Sequence, residues 1–367
     1  MFCILFSNLA MRFILLICLI NYLIISSGCD GKDTVVVVET PYKIALKGMD
    51  ISFLPEIETY GSRFFDSSGV EMPLLDIIKR NGINLVRIRL WNNPADQHSG
   101  FDEVAELARR CRQKGFKIFL DLHYSDTWAD PGHQEVPAVW KDLPLAELKD
   151  SVYQYTKFVL SSIRPEYVQI GNEINNGFMW NIGSLQNEKN FIDILKQGIR
   201  ASREVNPETS IIIHYAGIEG SSEFYDLLEK NEIEYDIIGL SYYPVWHGKS
   251  TKALENELNI LKAKFNKEVF IAEFSYPFTL QYNDLTHNVV GLESQLINGF
   301  APTKAGQKAF VNEIKSVCER SLALGFCYWG GEWIAFKGYN AGDGSSYENQ
   351  ALFDFNNKEN PALSIFR

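Results

Sequence analysis

The chain has little cysteine, little methionine and no excess of basic residues. Six cysteines occur in 367 residues, and Cys3, Cys18 and Cys29 fall in the first 29. The other three, Cys111, Cys318 and Cys327, are an odd number without metal-ligand spacing. No disulfide framework follows, and buried free thiols are expected. Lys and Arg number 35 against 46 Asp and Glu, and the net charge of −11 argues against nucleic acid as a partner. No Gly-rich phosphate loop and no low-complexity stretch are present. The one extended apolar run, Ile14 to Ile25, is too short for a comfortable membrane span.

That run follows Arg12 and ends in Ser26-Ser27-Gly28-Cys29, small residues leading to a cysteine. The pattern resembles a bacterial lipoprotein signal, so residues 1–29 read as a targeting segment. A lipid anchor on Cys29 at the cell envelope or surface is expected, with an ordinary cleaved secretion signal as the alternative. Residues 30–40 read as a polar tether and 41–367 as one folded domain.

What the chain has in quantity is aromatic surface, 13% of residues with 17 Tyr and 7 Trp. Such side chains offer flat apolar faces with polar edges, which suit sugars and also fill cores. From Tyr42 onward, β-rich apolar runs alternate with helical patterns. Strands are predicted at 44–50, 83–91, 116–123, 167–172, 210–215, 237–242, 269–273 and 325–329. Helical spacing covers 73–80, 101–114, 145–163, 191–205, 223–230, 251–265 and 306–324, with stops such as Asn81-Gly82 and Pro165. Eight strand–helix units predict the α/β class and a single-domain (β/α)8 TIM barrel.

Two strands end an apolar run with a glutamate: Val168-Gln169-Ile170-Gly171-Asn172-Glu173 and Val269-Phe270-Ile271-Ala272-Glu273. A carboxylate there is costly unless it is paired in the core or used. Asp50, Arg87, Arg89, His123, Glu173, His214, Tyr242, Glu273 and Trp329 all lie at strand C-termini, which converge on one face of such a barrel. Arg87 and Arg89 share a face, while Val86, Ile88 and Leu90 take the other. Two facing carboxylates among arginine, histidine, tyrosine and tryptophan fit glycoside hydrolysis, with stereochemistry set by their separation.

Specific stretches narrow this. Lys47-Gly48-Met49-Asp50-Ile51-Ser52, Asn84 to Trp91, Gly171-Asn172-Glu173-Ile174, Ile238 to Pro244, Ala272-Glu273 and Glu348 to Phe353 occur in order with His123-Tyr124-Ser125-Asp126-Thr127-Trp128-Ala129-Asp130-Pro131. On these the chain resembles the arabinogalactan endo-β-1,4-galactanases of glycoside hydrolase family 53. The resemblance implies a retaining mechanism on β-1,4-galactan, with Glu173 as acid/base, Glu273 as nucleophile and no catalytic cofactor. It implies Asn172 on the sugar hydroxyl beside the reacting carbon, Tyr242 with an arginine near Glu273, and Trp329 under the scissile sugar. Asp50, Arg87, Arg89 and His123 join as substrate-binding candidates, and Trp91, Asp126 and Trp128 as neighbouring subsites. A monomer is expected.

Two departures stand out. The family's Tyr-Trp is usually followed by Glu-Pro, whereas Tyr328-Trp329 is followed by Gly330-Gly331-Glu332. Similar bacterial members carry a calcium between the loops after strands seven and eight, and Asn283-Asp284-Leu285-Thr286-His287-Asn288 offers oxygen ligands with few carboxylates. Rival readings are an endo-glycanase of the same clan acting on mannan or β-glucan, or a surface glycan-binding lipoprotein without catalysis. A metal-dependent amidohydrolase would want a His-x-His on the first strand, where Met49-Asp50 stands instead.

Overall fold

The computed structural model describes residues 42–367, so Cys29, the targeting segment and the tether lie outside the described residues. Eight parallel strands close into a barrel in sequence order, β1 through β8, with β8 pairing back onto β1. They span Leu46–Asp50, Leu85–Leu90, Lys117–Leu122, Tyr167–Ile170, Ser210–Ala216, Ile237–Ser241, Glu268–Phe274 and Gly325–Tyr328. The predicted architecture is the observed one.

The core has two parts because strand side chains alternate. Leu46, Leu85, Phe119, Ile212, Ile237, Phe270, Ala272 and Cys327 pack inside the barrel. Their neighbours Val86, Ile118, Val168, Ile213, Ile238, Val269, Ile271 and Phe326 face the helices instead. The nearly continuous apolar runs of the sequence reflect strands buried on both faces.

Predicted helix positions hold, with ends adjusted by capping. The last helix, Lys304–Arg320, starts two residues before Gly306 because the Thr303 side chain accepts from Gly306 N at 3.0 Å. The helix Leu145–Ile163 ends at Arg164 in the left-handed conformation, just before Pro165. Two short helices, Leu54–Thr59 after β1 and Pro244–His247 after β6, carry no strong periodic signal and were not expected.

The backbone is irregular at both glutamates. After β4, Gly171 has φ +82° and Glu173 itself φ +47°, so the chain turns sharply and the glutamate occupies a conformation rare for side chains of its size. A Cβ on Gly171 would lie 2.6 Å from Ile174 Cγ2, which reserves the position for glycine. In β7 the pairing shifts register between Ile271 and Phe274 against β8, and against β6 Leu240 pairs Ile271 while Ser241 pairs Glu273. Strict alternation would send Glu273 outward after inward-facing Ala272. The bulge lets both face in and returns Phe274 to the outer core.

Candidate active site

Glu173 and Glu273 come from β4 and β7, on opposite sides of the barrel mouth, and both are buried. One carboxylate oxygen of each, together with a ring nitrogen of His214, lie within 4.8 Å of one another. Oxygens this near one another are compatible with the roughly 5–5.5 Å between carboxyl groups in retaining glycosidases. These side chains do not form an open cation site. Both Glu273 oxygens are engaged by Arg87 and Tyr243, and His214 Nε2 faces Ser241.

The surroundings of the two acids differ. Glu273 Oε1 lies 2.7 Å from Arg87 Nη2, and its Oε2 accepts from the Tyr243 hydroxyl at 2.8 Å. Glu173 has no cation; its Oε1 meets the Ser241 hydroxyl at 2.5 Å. Burial, then the nearby Glu273 charge, pushes Glu173 well above the usual carboxylate range. Burial also raises Glu273, to about 7, and Arg87 and the Tyr243 hydroxyl keep it from rising further. The proton of the pair therefore rests on Glu173 and the negative charge on Glu273.

Arg87 is the hub beneath them. Its Nη1 reaches Asp50 Oδ2 at 2.8 Å, and its Nη2 reaches Asp121 Oδ2 at 2.7 Å and Asn172 Oδ1 at 2.9 Å. A fully buried guanidinium is tolerable only with such compensation. His123 extends the network. Its Nδ1 accepts from Trp91 Nε1 and from Ala129 N, each at 3.2 Å, so Nε2 carries the hydrogen that goes to Asp121 Oδ2 at 2.9 Å. Burial lowers the His123 pKa and outweighs Asp121, leaving the ring neutral.

Of the residues singled out in the sequence, Arg87, Arg89, His123, Trp128, Asn172, Glu173, Glu273 and Trp329 line one cleft of about 680 Å³. Arg89 is packed against Phe53, Trp91 and Trp128, with its carbon Cζ 4.1 Å from the Trp128 ring centroid, and it donates to Ser99 Oγ at 2.9 Å. Burial brings its pKa down to about 10, so it stays charged at neutral pH.

Four expected contacts are placed elsewhere. Tyr242 points to the outer core and donates to Gly248 O at 2.9 Å. Ser241 faces inward, so strand alternation sends Tyr242 out and Tyr243 in, and Tyr243 holds Glu273. The adjacent tyrosines contained that signal, had parity been counted along β6. Asp126 lies outside the cleft and accepts from Asn93 N at 2.9 Å and Ala138 N at 2.8 Å, tying two loops together. Asp50 is spent on Arg87 and on Ser52 N, and Trp91 on His123. Both stand behind the cleft lining.

Other cleft residues went unremarked in the sequence. Trp333, Tyr347 and Trp246 line it. Trp333 is reached through the departing loop. Gly330 has φ +65°, and Glu332 turns under the floor, fully buried, with Oε1 accepting from Phe53 N at 3.0 Å. Trp333 then stacks on Phe53, ring centroids 3.8 Å apart, and meets Trp329 edge-on.

Comparison with known proteins agrees with this geometry. The profile of glycosyl hydrolase family 53 matches residues 46–366. The chain is 31% identical to an endo-beta-1,4-galactanase of Bacillus subtilis, covering 90% of this chain and 87% of that one. It is 34% identical to a probable arabinogalactan endo-beta-1,4-galactanase A of Neosartorya fischeri, covering 88% and 93%. Among solved structures, the family 53 catalytic domain of Ignisphaera aggregans superposes with a TM-score of 0.84 at 37% identity, over 90% of this chain and 97% of that one. With the barrel, the paired carboxylates and a match running nearly from β1 to the C-terminus, this chain belongs to glycosyl hydrolase family 53.

Proposed function

We propose that the protein cleaves β-1,4-galactan internally, with retention of configuration at the anomeric carbon. The observation that carries this is the unequal pair: Glu173, protonated and without a cation, facing Glu273, ionised by Arg87 and Tyr243. Glu173 protonates the leaving oxygen while Glu273 attacks the anomeric carbon. Water, deprotonated by Glu173, then releases the sugar from Glu273. Asn172 stands beside Glu173 with its Nδ2 donating to Ala129 O, and its second amide hydrogen is available to the neighbouring sugar hydroxyl.

Endo action is supported by the distribution of aromatics. Around the closed barrel, β4 and β7 divide the strands into β8, β1, β2 and β3 on one side and β5 and β6 on the other. Trp128, Trp329 and Trp333 line the cleft on the first side and Trp246 on the second. Sugars can therefore stack on both sides of the carboxylates. Sizing the products of linear β-1,4-galactan over time tests this. Early mid-length oligomers are expected, and cleavage of mannan or β-glucan in preference to galactan would overturn the substrate assignment.

A structural cation is proposed between the loops after β7 and β8. Asp284, Asn288 and Glu348 are buried there, and Asn288 Oδ1 and Glu348 Oε2 have no hydrogen-bond partner among protein atoms. Oxygen donors of this kind fit calcium, and none of the catalytic steps uses it. Outside the described residues, Cys29 is proposed to carry a lipid anchor holding a monomeric enzyme at the cell envelope. Palmitate labelling that is lost in Cys29→Ser is expected. Equal labelling of the variant would rule the anchor out.

A further inference from the structure

We propose that His214 is a positioning residue for Glu173, keeping the acid protonated by holding the hydroxyl hydrogen of Ser241. The inference rests on the retaining reading above and concerns the side chains behind the acid rather than those touching sugar.

The orientation of Asn172 fixes the tautomer of His214. Asn172 Oδ1 receives Arg87 Nη2 at 2.9 Å and Gln169 Nε2 at 2.8 Å, while its Nδ2 donates to Ala129 O at 2.7 Å. The amide cannot be flipped without losing all three bonds. His214 Nδ1, 3.0 Å from the same oxygen, must then carry a hydrogen. Burial, with Arg87 close by, lowers the His214 pKa well below its ordinary value, so the ring is neutral and Nε2 is a bare acceptor.

Ser241 Oγ lies 2.9 Å from His214 Nε2 and 2.5 Å from Glu173 Oε1. It has one hydrogen for two contacts. With that hydrogen on the His214 side, the Glu173 contact is satisfied by a proton on Glu173 donated to Ser241 Oγ. When Glu173 is ionised, or holds its proton on the other oxygen toward the cleft, the hydroxyl must turn to Oε1. His214 Nε2 then faces an oxygen without a hydrogen between them. Ionising Glu173 therefore costs the Ser241–His214 bond, and that cost raises the pH at which the acid loses its proton. In the reaction the proton passes to the leaving oxygen and returns from water, and the hydroxyl turns toward Glu173 and back.

Besides His214 itself, the charged and titratable groups facing Glu173 are Glu273, Asp130, Arg87, Tyr243 and Tyr347; besides the two glutamates, those facing His214 are Arg87, Asp121, His123 and His247. None is altered in the test. The kcat/KM pH profile on galactan is measured for wild type, His214→Phe, Ser241→Ala and the double variant. Phe keeps ring volume, and Asn172 Oδ1 retains two donors. In His214→Phe the alkaline limb is expected to move to lower pH by about one unit, with the acid limb unmoved. In the Ser241→Ala background the same substitution should produce no shift. An unmoved alkaline limb, or an equal shift without Ser241, overturns the proposal.

Should His214→Phe fail to fold, nitrogen NMR of the wild-type imidazole decides. A neutral ring with hydrogen on Nδ1 is expected between about pH 5 and 8, and an imidazolium or an Nε2–H tautomer contradicts it. Failure of the wild type to cut galactan would sink the functional reading instead, while the NMR result would still judge the relay.

Discussion

Arg87 Nη2 lies 2.7 Å from Glu273 Oε1, and this contact gives two chemically identical side chains different roles. Glu173, on the other side of the barrel mouth, has no ion-pair partner among the described residues and keeps its proton. The division arises from strand position. Arg87 faces inward on β2, and the bulge in β7 turns Glu273 toward it.

The acid limb of the activity profile follows from Glu273 taking a proton. Tyr243 and Arg87 both favour its ionised form, so removing either raises its pKa and moves that limb to higher pH. Tyr243→Phe is expected to lower kcat by roughly 10–100-fold, the worth of a hydrogen bond to a charged acceptor at about 1.5–3 kcal/mol. Tyr242→Phe should leave kcat and both limbs in place and cost about 1 kcal/mol of stability. Profiles of the two variants, side by side, check the assignment; the reverse pattern would restore Tyr242 to the site.

Glu332 bears on stability rather than turnover. Burial, then the Asp50 charge, holds its pKa well above the ordinary value, so in the fold it is neutral. For a group raised on folding, the stabilising contribution is full below the unfolded pKa of about 4.3 and is lost as pH climbs through the folded value. Glu332→Gln removes that loss. Urea unfolding should find the variant more stable than wild type at alkaline pH and nearly equal near pH ~4. A gain at acid pH alone would show that Glu332 is ionised in the fold.

Much of this was legible in sequence. Eight strand–helix units were visible because parallel strands buried on both faces read as apolar runs, and Gly, Pro and Asn end the helices. Glu173, Glu273, Arg87, Arg89, Asn172, His123 and Trp329 stood out because each sits at or just beyond a strand terminus, and Trp128 came with the motif running from His123 to Pro131. Tyr243 was missed for its neighbour because one residue of parity decides which side of a strand faces in. Trp333 was hidden by the loop's departure from the family pattern. Asp126 looked like a subsite residue because a motif records that a carboxylate is there, not that two backbone amides occupy it.

The proposed cation should show in thermal unfolding. A bound ion stabilises the fold by mass action, so a chelator should lower the Tm and calcium restore it, with galactan turnover at a low temperature unchanged. Asp284→Ala should lower Tm and abolish the response. A Tm indifferent to chelator would remove the ion from the account. A loss of turnover without a loss of Tm would place it in the reaction instead.

The central claim is that Glu273 forms the covalent bond and Glu173 handles the proton. A 2-fluoro-substituted β-galactobiosyl fluoride slows release of the sugar, so the intermediate accumulates and peptide mass spectrometry can locate it. The account predicts one glycosyl group on Glu273, and none in Glu273→Gln. A label on Glu173, or products released first as the α-anomer without any label, would contradict it.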